Sequence, residues 1–423
     1  MNRPLLIISL FVIFLYCSTL PKESKKSLIK REKEPVEERV GSLDGGIDTE
    51  TKDISPEVKD SVEEEYEEVN IDRNRLCAII PLSGKYRIVG EEVKKGIELA
   101  NDDPRYQRLN IDFIDSNNDI ERIKERLEEL IVEGRISGVI GPIRGEILKE
   151  LSSVINRYAL PVIALTPKKE ILSLGETIFR LFHTPESEIE TLLKAVPEVI
   201  KKVAIIYPES PYGREMAKLM QEKLTQLNKE IKSISYSFGT NNFKTIIEET
   251  VKFNPELIFI PSSTIDITLI IHGLAVEGLF SSIVPGQRQR GSKGVRYLLP
   301  TLSFKRKFIE ENKKYLIGTI WTGVYYPPSP KEELSDLFYQ RVMTAYSEEP
   351  DIYLIRGYDA VTIFREGLTK SPNTREELVK ILFSLDNVAT VGPFGGFTQE
   401  REPKIPLWLY MLNKDGEVVK IDL

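Results

Sequence analysis

From residue 75 onward the chain alternates short apolar runs with stretches whose apolar positions recur every three or four residues. Residues 76–82 (LCAIIPL) form a continuous apolar run of strand length, and Val89, Val93, Ile97 and Ala100 follow at helical spacing. Residues 109–115 (LNIDFID) read as the next strand and 120–133 as the next helix. Further apolar runs stand at 137–141 (SGVIG), 161–165 (PVIAL), 203–207 (VAIIY), 257–261 (LIFIP) and 317–324, with helical patterns between them. Short strands alternating with helices of about 10–15 residues predict βαβ units, parallel sheets and right-handed crossovers. Ligands of open parallel sheets sit beyond the carboxyl ends of the strands, so the loops there are where function is sought.

The first 74 residues follow a different pattern. Arg3 is the one charge before an apolar run from Leu5 to Leu15, and Cys17 lies just beyond it. That run is too short to span roughly 30 Å of hydrocarbon as a helix, but it suits an export signal. Residues 1–17 are therefore predicted to be a signal peptide with a lipobox-like cysteine, although Tyr16 stands where a small residue is usual. Residues 18–74 show no sustained period, contain Pro21, Pro35, Pro56 and the acidic run 63–68, and read as a disordered acidic linker.

Composition narrows the function classes. The 423 residues suit two or three domains at about 150 residues each. Two cysteines and two histidines argue against a disulfide scaffold and a zinc centre, so no metal and no cofactor are expected. The net charge is -7, and residues 21–74, with 17 acidic and 10 basic side chains, account for it. An almost neutral folded part argues against nucleic acid as partner. There is no G-x-S-x-G elbow, H-E-x-x-H or Walker motif, and an enzyme is not expected.

The loops after the strands carry a pattern. Ile80-Pro-Leu-Ser-Gly-Lys-Tyr-Arg-Ile-Val-Gly90 precedes Lys95-Gly-Ile-Glu-Leu-Ala100. Gly138-Val-Ile-Gly-Pro142, Leu160-Pro-Val-Ile-Ala-Leu-Thr-Pro167, and Val203-Ala-Ile-Ile-Tyr207 with Tyr212-Gly213 come next. Gly357-Tyr-Asp-Ala-Val361 and Gly392-Pro-Phe-Gly-Gly-Phe397 close the series. In this order the segments resemble type I periplasmic binding proteins of the leucine-binding kind over residues 76–423. The resemblance implies an α/β fold of two doubly wound parallel-sheet lobes closing on a small molecule. Lobe one would hold residues 75–184 and 327–390, and lobe two 185–326 and 391–423. The crossings would fall near 183–186, 325–328 and 391–395.

The resemblance also implies a site. In relatives a substrate carboxylate meets helix N-termini and a Ser or Thr hydroxyl, where free N–H groups and the helix dipole favour an anion. The corresponding residues are Ser83, Arg144, Gly145, Glu146 and Thr166. Tyr212 would stand beside the ligand, and Trp321 and Tyr325 would form an aromatic wall. Arg144 and Glu146 read equally as a solvated surface pair, and Trp321 and Tyr325 as hinge core. Lys168 and Lys169 depart from the usual small residues, which points away from unmodified leucine.

The implied function is capture of an amino acid or similar small polar ligand for an ABC importer or sensor, with the chain held to a membrane through lipidated Cys17. Periplasmic placement follows, at the outer membrane in a Gram-negative host because Ser18 follows the cysteine. A second group shares the fold: lipoprotein activators of penicillin-binding proteins, which contact a peptidoglycan synthase and bind no small ligand. Gly318-Thr-Ile-Trp321 and Tyr358-Asp-Ala360 resemble their segments. Residues 285–294 (PGQRQRGSKG) carry Gly-Ser-Lys in the wrong order for a phosphate loop and read as a surface insertion. Cys77 falls in a predicted buried strand and reads as an inert thiol.

Overall fold

The computed structural model describes residues 70–281, 293–325 and 333–421. The signal peptide, Cys17, residues 18–69 of the linker and most of the 285–294 insertion lie outside them. The fold begins slightly ahead of residue 75: Ile71 is buried in the first core, and Asp72 bridges Ile136.

The first lobe opens with β1 (Arg75–Ile80), α1 (Arg87–Asn101), β2 (Asn110–Asp115), α2 (Ile120–Val132), β3 (Val139–Ile140), α3 (Gly145–Arg157), β4 (Val162–Ala164) and β5 (Ile178–Arg180). The five strands pair in parallel in the order β2-β1-β3-β4-β5. Alternate residues feed two cores. Leu76, Ala78 and Ile80 face α1, while Cys77 and Ile79 face α2 and α3. Burial on both faces is why these strands read as unbroken apolar runs.

The chain then passes through Phe182 and His183 into α4 (Pro185–Leu193), opened by a capping box between Thr184 and Ser187. The second lobe continues as β6 (Lys202–Pro208), α5 (Pro211–Gln226), β7 (Glu230–Tyr236), α6 (Lys244–Phe253), β8 (Leu257–Phe259) and α7 (Thr264–Val276). Next come the short parallel pair β9 (Leu279–Phe280) and β10 (Lys293–Gly294), then β11 (Arg296–Leu299), α8 (Arg306–Leu316) and β12 (Ile320–Gly323).

After the second crossing, α9 (Glu333–Tyr346), α10 (Ile352–Thr369) and α11 (Arg375–Ser384) return to the first lobe. There α10 lies against α1 so closely that a Cβ on Gly96 would stand 1.9 Å from the Leu354 carbonyl oxygen. A Cβ on Gly357 would likewise stand 2.3 Å from that of Val93. The last strands, β13 (Trp408–Leu412) and β14 (Val418–Ile421), add antiparallel to β12. The second sheet thus runs β14-β13-β12-β11-β8-β6-β7, parallel except at that edge.

Residues 391–407 depart from the lobe boundary drawn from the sequence. Val391, Phe394 and Phe397 are apolar and pack in the first lobe's core, and Arg401 donates to the carbonyls of Ile178 and Leu172. The chain enters the second sheet only at Trp408.

Candidate functional site

The loops after β1, β3 and β4 bring several sequence-predicted residues together. Ser83 is held within its own lobe: its hydroxyl accepts from Asn117 Nδ2 at 3.2 Å and donates to the Asp115 carboxylate. Burial would raise the Asp115 carboxyl, but this bond and backbone N–H donors, Leu82 at 2.9 Å among them, hold it below its ordinary value. Arg144 stands in extended backbone just before α3, with its guanidinium 5.4 Å from the Tyr86 ring centroid. Gly145 packs near Ile171, where a Cβ would meet Cγ2 at 3.1 Å.

Glu146 fills the opening of α3 itself. Its carboxylate accepts from its own backbone N–H and from Lys168 Nζ at 3.1 Å, and these bonds hold it below the ordinary carboxylate range. Arg144 Nε is 3.9 Å away. Thr166 is 2% exposed, and its hydroxyl oxygen accepts from the Lys168 N–H at 3.4 Å. The place where an anion would meet this helix is thus occupied by the chain's own carboxylate.

Tyr212 belongs to the second lobe and packs against its core. It sits in the first turn of α5, which Ser210 caps through the Gly213 N–H at 3.0 Å. Its hydroxyl is buried and has no hydrogen-bond partner. Burial pushes its pKa well above 10, and Glu188, Tyr353 of the first lobe and Glu215 add to the effect. Trp321 and Tyr325 are not brought to these loops. Trp321 is fully buried in the second lobe's core, 6.0 Å from Phe304, because alternation along β12 turns it away from α4. Tyr325 packs edge-on against Phe338 at 5.7 Å in the first lobe's core.

Sequence reading missed the buried charges around the crossings. Glu188 on α4 accepts from the Thr301 N–H and the Thr322 hydroxyl, each at 2.6 Å, and His183 Nε2 lies at 3.5 Å. Burial opposes its ionisation, yet these donors hold its carboxyl down to about 2. Arg180 donates to the Phe182 carbonyl and to Glu402. Burial lowers its pKa to about 10. Arg356 and Asp359 pair at 3.3 Å with neither exposed, and Asp359 also accepts from the Val391 N–H at 2.8 Å. Burial pushes the Asp359 carboxyl up and the Arg356 guanidinium down. A buried carboxylate has no signature in a single sequence, although Tyr358-Asp-Ala360 marked the Asp359 position.

A groove of about 650 Å³ runs between the lobes beside the second crossing. Ile88 and Glu92 of α1 and Glu349 and Asp351 ahead of α10 line one side, with Ile265 and Thr268 of α7 and Lys307 of α8 on the other. A smaller pocket of about 70 Å³ adjoins it, between Thr301 and Phe304 on one side and Ile352 and Ile355 on the other. Among the described residues no group of His, Cys, Asp and Glu is placed to hold a metal ion, and no helix is long and apolar enough to cross a membrane.

Solved structures share this architecture. A putative branched-chain amino acid ABC transporter protein from Rhodospirillum rubrum superposes with a TM-score of 0.66 at 18% identity, over 82% of this chain and 99% of that one. A leucine binding protein from Thermotoga maritima gives 0.60 at 16% identity, over 82% and 97%. An ABC-transporter solute binding protein from Rhodopseudomonas palustris, in complex with 3,4-dihydroxybenzoic acid, gives 0.64 at 17% identity, over 82% and 96%. No curated protein sequence matches the chain. The family model described as periplasmic binding protein matches residues 75–417, about four-fifths of the chain. With its two α/β lobes and its crossings between them, the chain belongs to the periplasmic binding protein family.

Proposed function

We propose that the chain captures a small polar solute, an amino acid or a related acid, between its lobes and presents it to an ABC importer or sensor. The observation that carries this reading is the Tyr212 hydroxyl on α5, buried with no partner and with Tyr353 of the first lobe among the groups that act on it. A buried hydroxyl without a partner costs about 1–3 kcal/mol, which a ligand acceptor would recover. Solved structures of the same fold are named for branched-chain amino acids or leucine, and one holds 3,4-dihydroxybenzoic acid, which supports a small acid as the ligand class. Tyr212, Thr166, Arg144 and Glu146 would form the two walls, with Ser83 and Gly145 shaping the first. We read Cys17 as the point of lipid attachment, holding the chain on the periplasmic side of the cell envelope.

A second reading, an activator that contacts a peptidoglycan synthase and binds no solute, draws on Glu146. Its carboxylate already satisfies the opening of α3, where the resemblance would place a ligand anion. Thermal melting of the full chain against amino acids, aromatic acids and peptidoglycan fragments separates the two. A true ligand at ~100 times its Kd stabilises the fold by about 2.7 kcal/mol, and Tyr212→Phe should abolish that gain. A panel without any shift sinks the solute reading and favours the activator.

A further inference from the structure

The opening of α8 gathers cations where the helix dipole is positive, with Glu311 of the same helix 4.0 Å from Lys307 Nζ. Lys305 precedes the helix without a side-chain cap, Arg306 and Lys307 follow, and the first turn holds no acidic residue. Cations beside the positive end of a helix dipole are unfavourable. A compensating charge also comes from the other lobe: Glu349 Oε2 accepts from the Lys307 N–H at 3.2 Å. Two residues on, Asp351 caps α10 through the Tyr353 and Leu354 N–H groups; burial pushes its carboxyl up, against these bonds and the nearby Lys305. The loop leading into α8 is itself fixed, because the Thr301 N–H is held by Glu188, which also meets Thr322 on β12 and His183 in the first crossing.

We propose that Glu349 and the first turn of α8 form a latch that holds the lobes closed without any ligand. The contact spans the lobes directly, outside the crossing segments, and it sets a carboxylate on one backbone donor, the stronger kind of hydrogen bond. Its second lobe end is anchored through Thr301 and Glu188 to strands and crossings, so breaking it frees one lobe to rotate rather than merely loosening a side chain. The neighbouring Glu348 is the natural control, since it pairs with Lys95 of its own lobe at 2.5 Å.

The latch is tested by electron–electron distance measurement on the full-length chain, with Cys17→Ser and nitroxides at Glu176→Cys in the first lobe and Lys218→Cys in the second. Cys77 is buried and stays unlabelled. No solute is added, so the outcome is independent of what the cleft binds. Glu349→Ala should raise the open population roughly tenfold, the scale of one charge-assisted hydrogen bond, while Glu348→Ala keeps the parent distribution. Lys307→Pro removes the donor from the other side, at a position in the first helical turn where proline is tolerated. It should reproduce the Glu349→Ala distribution, and the double variant should add nothing further. A parent-like distribution in both Glu349→Ala and Lys307→Pro, or an equal change in Glu348→Ala, overturns the latch.

Discussion

At the scale of single residues, the strongest commitments are buried charges. The Glu188 carboxyl is held at about 2 against an ordinary 4.5. The folded state thus binds this proton more weakly than the unfolded chain. The stabilisation is fully present above pH 4.5 and is lost as the pH falls through about 2. Glu188→Gln should lower stability by ~3 kcal/mol at pH 7, as expected when a buried hydrogen-bonded charge loses its role. Urea midpoints of the two proteins should converge toward pH 2, and a gap independent of pH would contradict the assignment. Tyr212→Phe should melt higher than the parent when no ligand is present, by about 1 kcal/mol, because it deletes an unpartnered buried hydroxyl. The loop positions of Ser83, Arg144 and Thr166 were legible because they follow recognisable strand ends, as Thr166 follows β4. Trp321 was not, since the face of a four-residue strand on which it falls depends on register. Glu188 was not either, because nothing in Pro185-Glu-Ser-Glu188 separates a buried carboxylate from a solvated one.

At the scale of elements, α1 lies in close contact with α10, made possible by Gly96 and Gly357. Gly96→Ala would drive a methyl into the Leu354 carbonyl, and separating the helices should cost about 1–3 kcal/mol, read as a lower urea midpoint with unchanged slope. Elements whose both sides are covered were plain in the sequence: β1 and β6 are unbroken apolar runs, and α1 shows its stripe at Val93, Ile97 and Ala100. The edge strand β7, Glu230–Tyr236, was missed because one side of it meets solvent, so its lysine and serines break the run. The stretch 391–407 was assigned to the wrong lobe for a related reason. It has almost no regular structure, and only its packing, through Val391, Phe394 and Phe397, reveals which core it belongs to.

At the scale of the whole molecule, the two lobes are layered parallel sheets joined by crossings, and the proposed solute would lie between them. A ligand that touches both walls should raise the melting temperature of the parent and leave Thr166→Ala less affected, a comparison made by scanning both proteins across the same concentration series. The lobes also differ in how the chain composes them. Apart from its final hairpin, the second lobe is continuous in sequence, whereas α1 of the first finds its partner α10 only some 250 residues later. A growing or translocating chain therefore reaches the second lobe's core while the apolar side of α1 still has nothing to cover it. Such long-range closure is slow and leaves sticky surface open in the interval. A chain that ends before α9 should aggregate through that side, and the intact protein can be expected to need protection until its last hundred residues have emerged.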